Sequence, residues 1–178
     1  MRRSALALAA SLVLPAASAP GARSSVDGWH VLHLPAPPFA VEDLAGHPLR
    51  SSDLEGKVVV IDFWATWCSP CLRELPELVE YHRRLEGRTD VALLSFDVTD
   101  ERKDLKEFVK EKGVPFPIYI GDSLIGPYEL VSFPTKIVLD MRGADPGRPG
   151  GVVRFRREGF TPVASIEARV AELLAESP

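Results

Sequence analysis

One stretch near the middle of the chain constrains the fold more than any other. Val58-Val59-Val60-Ile61-Asp62-Phe63-Trp64 is apolar apart from a single aspartate and rich in β-branched residues. A strand with one wet face alternates polar and apolar residues. An unbroken apolar run fits a central strand covered on both faces. Four residues beyond its end the chain reaches Cys68-Ser69-Pro70-Cys71, and Leu72, Leu75, Leu78, Val79 and Leu85 then recur along one side of a helix expected over Cys68–Leu85.

The flanking segments extend this β–α pattern. Val91–Val98 reads as the next strand. Thr99 or Asp100 is expected to cap a helix carrying Leu105, Phe108 and Val109, which Gly113 stops. Phe116–Ile120 is a third strand and Leu124–Tyr128 a short helical turn. Lys136–Asp140 and Val152–Arg156 form a hairpin around the Gly/Pro-rich Met141–Gly151 loop. Thr161 is expected to cap a last helix, with Pro162 at its first position and Ile166, Val170, Leu173 and Leu174 as its stripe. Upstream, Phe39–Leu44 and Gly46–Leu49 read as a β-hairpin and Ser51–Leu54 as a helical turn ended by Gly56. The result is an α/β domain over residues 37–178, a central mixed sheet flanked by helices.

Residues 1–19 read differently. Met1-Arg2-Arg3, the apolar run Ala5–Leu14 and the small residues Ala16-Ala17-Ser18-Ala19 follow the order of a secretory signal peptide, too short to span a bilayer comfortably. Cleavage after Ala19 or after Ser18 fits, and an uncleaved anchor is the alternative. Residues 20–36, rich in Pro, Ala, Gly and Ser, read as a linker, interrupted by Trp29–Leu34 as an added strand or a docking segment.

Composition narrows the function classes. The 178 residues are 46% apolar and 26% charged, which excludes a disordered chain or a polytopic membrane protein. A net charge of −4 offers no basic footprint for nucleic acid. Losing the two leader arginines takes it to −6. Two cysteines build neither a disulfide scaffold nor a four-ligand zinc site. The histidines His30, His33, His47 and His82 do not cluster with them in sequence, so no metal and no organic cofactor is expected; His30-x-x-His33 is the pair of most interest.

The chemistry therefore rests on Cys68 and Cys71. At a helix start, unpaired N–H groups and the helix dipole favour a thiolate on the first cysteine. The second, three residues on, lies within disulfide reach. Pro70 is tolerated in a first turn because its missing N–H would be unbonded there. Cys68 is thus the candidate nucleophile and Cys71 the resolving thiol. A purely structural disulfide would close too short a loop to restrict the unfolded chain much. In the middle of the apolar strand, burial disfavours the ionised form of Asp62, which suits a general base acting on Cys71 through a water; a partly solvated strand-end aspartate is the plainer reading.

The stretch Val60–Cys71 resembles the active-site segment of the thioredoxin superfamily, most closely its exported TlpA/ResA-like thiol:disulfide oxidoreductases. The similarity extends to Ala36-Pro37-Pro38-Phe39, Leu44-Ala45-Gly46 and Leu54-Glu55-Gly56-Lys57 before it. After it, Cys71-Leu72-Arg73-Glu74-Leu75-Pro76, the helix from Asp104 as an insertion, and Val131-Ser132-Phe133-Pro134-Thr135 as a cis-proline loop match in turn. The resemblance implies a thioredoxin fold with an N-terminal hairpin and a central insertion. It implies a redox-active Cys68–Cys71 disulfide, Glu74 tuning the thiols, Pro76 kinking the helix, and Trp64 and Trp67 flanking the cysteines. Trp67, Ser69, Pro70, Phe133 and Pro134 would face substrate, with Pro134 cis. By themselves, Glu74 reads as a solvated helix residue and Pro134 as a proline at the start of a strand.

Two features depart from the family. Asp62 stands where those proteins often carry Asn, as in ordinary thioredoxin; yet Val91–Val98 holds no lysine, so the Asp–Lys pairing of ordinary thioredoxin is expected to be absent. The Met141–Gly151 loop is also longer than the family's usual turn. The resemblance implies client protein thiols and disulfides as partners, such as apocytochrome c or metal-site cysteines, and a membrane electron donor, for a monomer that is peripheral to the membrane at most. Three rival functions remain. A thiol peroxidase would need a P-x-x-x-T-x-x-C motif, and Thr66 has no matching spacing. A copper-site chaperone usually has C-x-x-x-C with a later histidine, and none follows His82. A non-catalytic interaction domain would not depend on Cys68.

Overall fold

The computed structural model describes residues 24–143 and 149–177. The expected signal peptide lies outside them. Among the described residues, no helix is long and apolar enough to cross a membrane.

The strands are β1 (Ser24–Val26), β2 (Trp29–Pro35), β3 (Ala40–Glu42), β4 (Pro48–Arg50), β5 (Val58–Trp64), β6 (Val91–Asp97), β7 (Ile118–Ile120), β8 (Thr135–Asp140) and β9 (Val152–Glu158). The helices are α1 (Ser69–Leu85), α2 (Arg102–Lys112) and α3 (Val163–Ala175). Seven strands form one mixed sheet in the order β1-β2-β9-β8-β5-β6-β7, and β3 and β4 form a separate hairpin. β5 pairs in parallel with β6 and antiparallel with β8, at the centre of the sheet.

All seven residues of β5 are buried, and its period of two sorts them between two cores. Val58, Val60 and Trp64 pack with Leu78 of α1, Leu105 of α2 and Ile166 and Leu173 of α3. Val59, Ile61 and Phe63 pack with Phe39, Val41, Leu124 and Tyr128 on the other face. The cover expected on both faces is there, but the three helices share one of them. The crossovers β5–α1–β6 and β6–α2–β7 run in the same direction across the sheet, and crossovers of one hand then fall on one side. The β3–β4 hairpin and the turns after β7 close the other. Asp62, alternating with Ile61 and Phe63, falls on the helix side, beneath α1.

Two caps differ from expectation. α2 begins after Glu101, with no side-chain cap, because Asp100 is engaged elsewhere. α3 begins after Pro162, and its first N–H, on Val163, donates to Glu77 of α1 at 3.0 Å. An orphan donor at a helix start needs an acceptor, and here a neighbouring helix supplies it. Thr161 instead donates its hydroxyl to the Gly159 carbonyl. Gly113 ends α2 at φ 62°, the left-handed conformation glycine adopts without penalty.

The segment read as a linker contains β1 and β2. The Trp29–Leu34 island is the added strand of its two readings: β2 pairs antiparallel with β9, and β1 pairs outside it as the edge of the sheet. Trp29 is fully buried, its ring 6.4 Å from Phe155 and its Nε1 donating to Ser165 Oγ at 2.8 Å. Truncating so large a buried side chain costs roughly 3–5 kcal/mol. Trp29→Ala should therefore lower unfolding free energy by about that much in urea melts, where a linker tryptophan would change it by less than about 0.5 kcal/mol.

Candidate active site

β5 delivers the chain to the N-terminus of α1, where Cys68 is the N-cap. Cys68 and Cys71 form a disulfide with Cα atoms 5.3 Å apart, and both residues are buried. The Cys71 backbone N–H donates to Cys68 Sγ at 3.3 Å. A helix-start donor is thus already aimed at the sulfur of the first cysteine. Ser69 is exposed and Pro70 half-buried in the first turn, and Pro76 lies inside α1.

Behind the cysteines is a buried ionic cluster. Lys136, fully buried, stands directly opposite Asp62 in the β5–β8 register and donates from Nζ to Asp62 Oδ1 at 2.7 Å. It also donates to Glu74 Oε2 on α1, and the other Glu74 oxygen accepts the Thr161 N–H. The expectation that Asp62 lacks a lysine partner is therefore corrected: the lysine comes from β8 rather than β6. Glu74 is likewise no solvated helix residue. Burial raises its pKa, against the opposing pull of Lys136. Burial by itself would lower the Lys136 pKa, but the two carboxylates outweigh it and hold the ammonium above the ordinary lysine value.

The rim is built from two loops. The Phe133–Pro134 peptide bond is cis. Thr135 Oγ1 donates to the Ser132 carbonyl at 2.7 Å, and Gly159 N–H donates to the Pro134 carbonyl at 2.8 Å, fixing the loop from both sides. The Phe133 ring meets the Trp67 ring edge-on at 6.0 Å, so residue 133 and the loop before Cys68 adjoin. Trp67 is 63% exposed, whereas Trp64 is buried and donates to Ser95 Oγ at 2.8 Å. Of the two tryptophans, only Trp67 presents a surface at the rim.

The loop after β6 braces the cysteine loop. Asp100 accepts from Thr66 N–H at 2.6 Å and from Thr66 Oγ1 at 2.8 Å, and Trp67 Nε1 donates to Thr99 Oγ1 at 3.2 Å. Thr99 has φ 85°, and its N–H is held by Asp122. Asp97 is buried next to this brace, with Oδ2 unpartnered. Burial, followed by the neighbouring Asp100, pushes its carboxyl up to about 9, so it is protonated at neutral pH.

The structure therefore places Cys68 and Cys71 at the start of α1, joins Asp62 of β5 and Glu74 of α1 through Lys136, and brings Phe133, next to the cis Pro134, against Trp67 of the cysteine loop. Lys136 and Asp97 carry no site reading from sequence, and Asp100 only that of a helix cap. A lone lysine opening the apolar run Ile137-Val138-Leu139 was the available signal for the first. Nothing in sequence pairs Asp100 with Thr66.

Residues 33–143 match the AhpC/TSA family. The thiol-disulfide oxidoreductase ResA of Bacillus anthracis is 39% identical over 111 residues, which is 61% of this chain and 63% of that protein. The match thus spans less than two thirds of that relative's length. Among solved structures, a thiol:disulfide interchange protein of the thioredoxin family from Chlorobium tepidum TLS has a TM-score of 0.67 at 25% identity, covering 80% of this chain and 97% of that one. The pneumococcal exposed lipoprotein thioredoxin from Streptococcus pneumoniae has a TM-score of 0.66 at 26% identity, covering 76% and 99%. The architecture is the thioredoxin fold.

Lys136→Met leaves two carboxylates buried together, and breaking a buried ion pair from one side costs roughly 3–5 kcal/mol. The carboxylates then bind protons more readily in the folded than in the unfolded state, so the loss should be larger at pH 8 than at pH 5 in denaturant titrations. Asp97→Asn should act in the opposite sense. Between the unfolded carboxylate range and about 9, folded Asp97 holds a proton that the unfolded chain releases, so its contribution to stability falls as pH rises. The amide removes that cost, and its gain in Tm should grow from pH 5 to pH 9.

Proposed function

The chain belongs to the AhpC/TSA family, and we propose that it is an exported thiol:disulfide oxidoreductase that reduces disulfides in client proteins. The observation that carries this reading is the Cys71 N–H directed at Cys68 Sγ at the N-cap of α1. When the disulfide is reduced, that donor and the helix dipole stabilise a thiolate at Cys68 rather than at Cys71.

In the reduced protein, the Cys68 thiolate attacks one sulfur of a client disulfide. A Cys68–client mixed disulfide forms, and the other client sulfur leaves as a thiolate. Cys71 then loses its proton to Asp62 through a water and attacks the Cys68 sulfur. The protein disulfide closes and the second client sulfur leaves, so two electrons have passed from Cys68 and Cys71 to the client. Lys136 sets the base: its ammonium offsets the charge of Asp62 and Glu74 and fixes the Asp62 carboxylate by a hydrogen bond. Trp67, Ser69, Pro70 and the Phe133–Pro134 loop form the surface against which the client chain lies. Export is supported by the basic, apolar, small-residue order of residues 1–19. In an oxidising compartment the dithiol must be renewed, which calls for an electron donor at the membrane.

Alkylation of the reduced protein at neutral pH should modify Cys68 before Cys71; the reverse order would overturn the assignment. Cys71→Ser should accumulate mixed disulfides through Cys68, and mass spectrometry of the trapped species identifies the clients. Asp62→Asn should lengthen the mixed-disulfide lifetime by about tenfold or more, because general bases contribute at least on that scale. An unchanged lifetime would remove Asp62 from the resolving step.

A further inference from the structure

A second concave feature opens beside the Phe133–Pro134 loop. It is a cavity of about 300 Å³ bounded by His30, Leu32 and Leu34 of the added strand, by Arg156 and Glu158 of β9, and by Glu129 and Val131. Val131 is 82% exposed and Leu34 43%. Large aliphatic side chains left open around a cavity indicate an interaction surface. This one is continuous with the active-site rim. Val131 lies two residues before Phe133, within roughly 7 Å of extended chain, and the Phe133 ring touches Trp67.

The polar part of the cavity is organised in advance. Arg156 donates to the Tyr128 carbonyl at 2.6 Å, to the Glu129 carbonyl at 2.9 Å, and to Glu158 Oε1 at 3.3 and 3.2 Å. Its charge is thereby matched by Glu158. Those carbonyl bonds also hold Glu129 at φ 49°, a conformation that side chains disfavour. The Glu129 carboxylate itself is exposed and has no ion-pair partner among the described residues. With the His30 imidazole neutral, the cavity therefore combines apolar walls with one negative charge beyond the Arg156–Glu158 pair.

We propose that this cavity is a specificity subsite for a lysine or arginine side chain of the client polypeptide, close in sequence to the cysteine being reduced. The aliphatic stem lies along Leu32, Leu34 and Val131, and the cationic head reaches the Glu129 carboxylate. An acidic client residue meets no free guanidinium there, since Arg156 is already spent on Glu158 and two carbonyls, and it would face Glu129 with only the His30 imidazole as a polar partner. The inference rests on the reductase reading above, of which it specifies the substrate.

The test uses the pre-reduced full-length protein and short synthetic peptides, each closed by one disulfide. The peptides differ only in carrying Lys, Ala or Glu at each of the few positions flanking the cysteine. Single-turnover rate constants are read from the oxidation of the protein dithiol. At one flanking position Lys should exceed Ala by about five- to tenfold, with Glu slowest, and added salt should reduce the difference. Glu129→Lys should invert the order to favour the Glu peptide, which a merely structural role for Glu129 would not produce. Reduction of all peptides at one rate overturns the subsite and leaves the reductase reading standing. Preference for Glu in the wild-type protein assigns the cavity to Arg156 or His30 and overturns the proposal equally. If not even the Ala peptide is reduced, the reductase reading fails and the subsite falls with it.

Discussion

The ammonium of Lys136 is the interaction on which the site depends. It joins three elements that are far apart in sequence: β8, which carries it, β5 through Asp62 and α1 through Glu74. A single buried ammonium facing a single carboxylate would be a dubious source of stability, since desolvating both charges offsets their attraction. Two carboxylates change the balance. They keep the lysine charged, and the second oxygen of Glu74 is taken by Thr161 N–H, so the cluster also ties down the segment leading into α3. The ion that neutralises the buried carboxylates therefore also ties α1 and the segment before α3 to the sheet.

The sequence made the frame legible and left the wiring hidden. The β5 run, the helical stripe after Cys71 and the Gly113 stop are local signals, and each corresponds to an element within a residue or two. The Cys68–Cys71 pair was equally plain, because its chemistry lies within one turn of helix. Side-chain pairings across the sheet were not. Asp62 was legible as a lone carboxylate in an apolar strand, and Lys136 only as the residue that opens another strand. Joining them required the β5–β8 register, which no periodicity encodes. The caps were misread as well. Thr161 and Asp100 are good cap residues by type, but the Thr161 hydroxyl turns back to the Gly159 carbonyl and the Asp100 carboxylate is taken by Thr66.

The N-terminal segment illustrates the converse, a region whose composition argues one way and whose burial argues another. Pro, Ala, Gly and Ser dominate residues 20–36, and the mean of such a stretch describes a linker. One tryptophan is enough to override the mean. Trp29 fills a site against Phe155 and Ser165, and once it is seated the following residues are delivered alongside β9. The strand thus gained places Leu32 and Leu34 beside Val131, which gives the rim of the active site a wall it would otherwise lack.

These constraints bear on how the site passes between redox states. The anchors of the surrounding loops run through atoms other than the two sulfurs. Thr66 hangs from Asp100, Trp67 from Thr99, the Pro134 carbonyl from Gly159 and Thr161 from Glu74. Opening the Cys68–Cys71 bond breaks none of them. The one hydrogen bond that changes is the Cys71 N–H to Cys68 Sγ, whose acceptor turns from a disulfide sulfur into a thiolate and so becomes a stronger one. Reduction to a Cys68 thiolate therefore strengthens this contact while the surrounding frame stays in place. The two cysteines differ in position: Cys68 is the N-cap, where the backbone of α1 supplies a donor that Cys71, already inside the first turn, cannot receive in the same way.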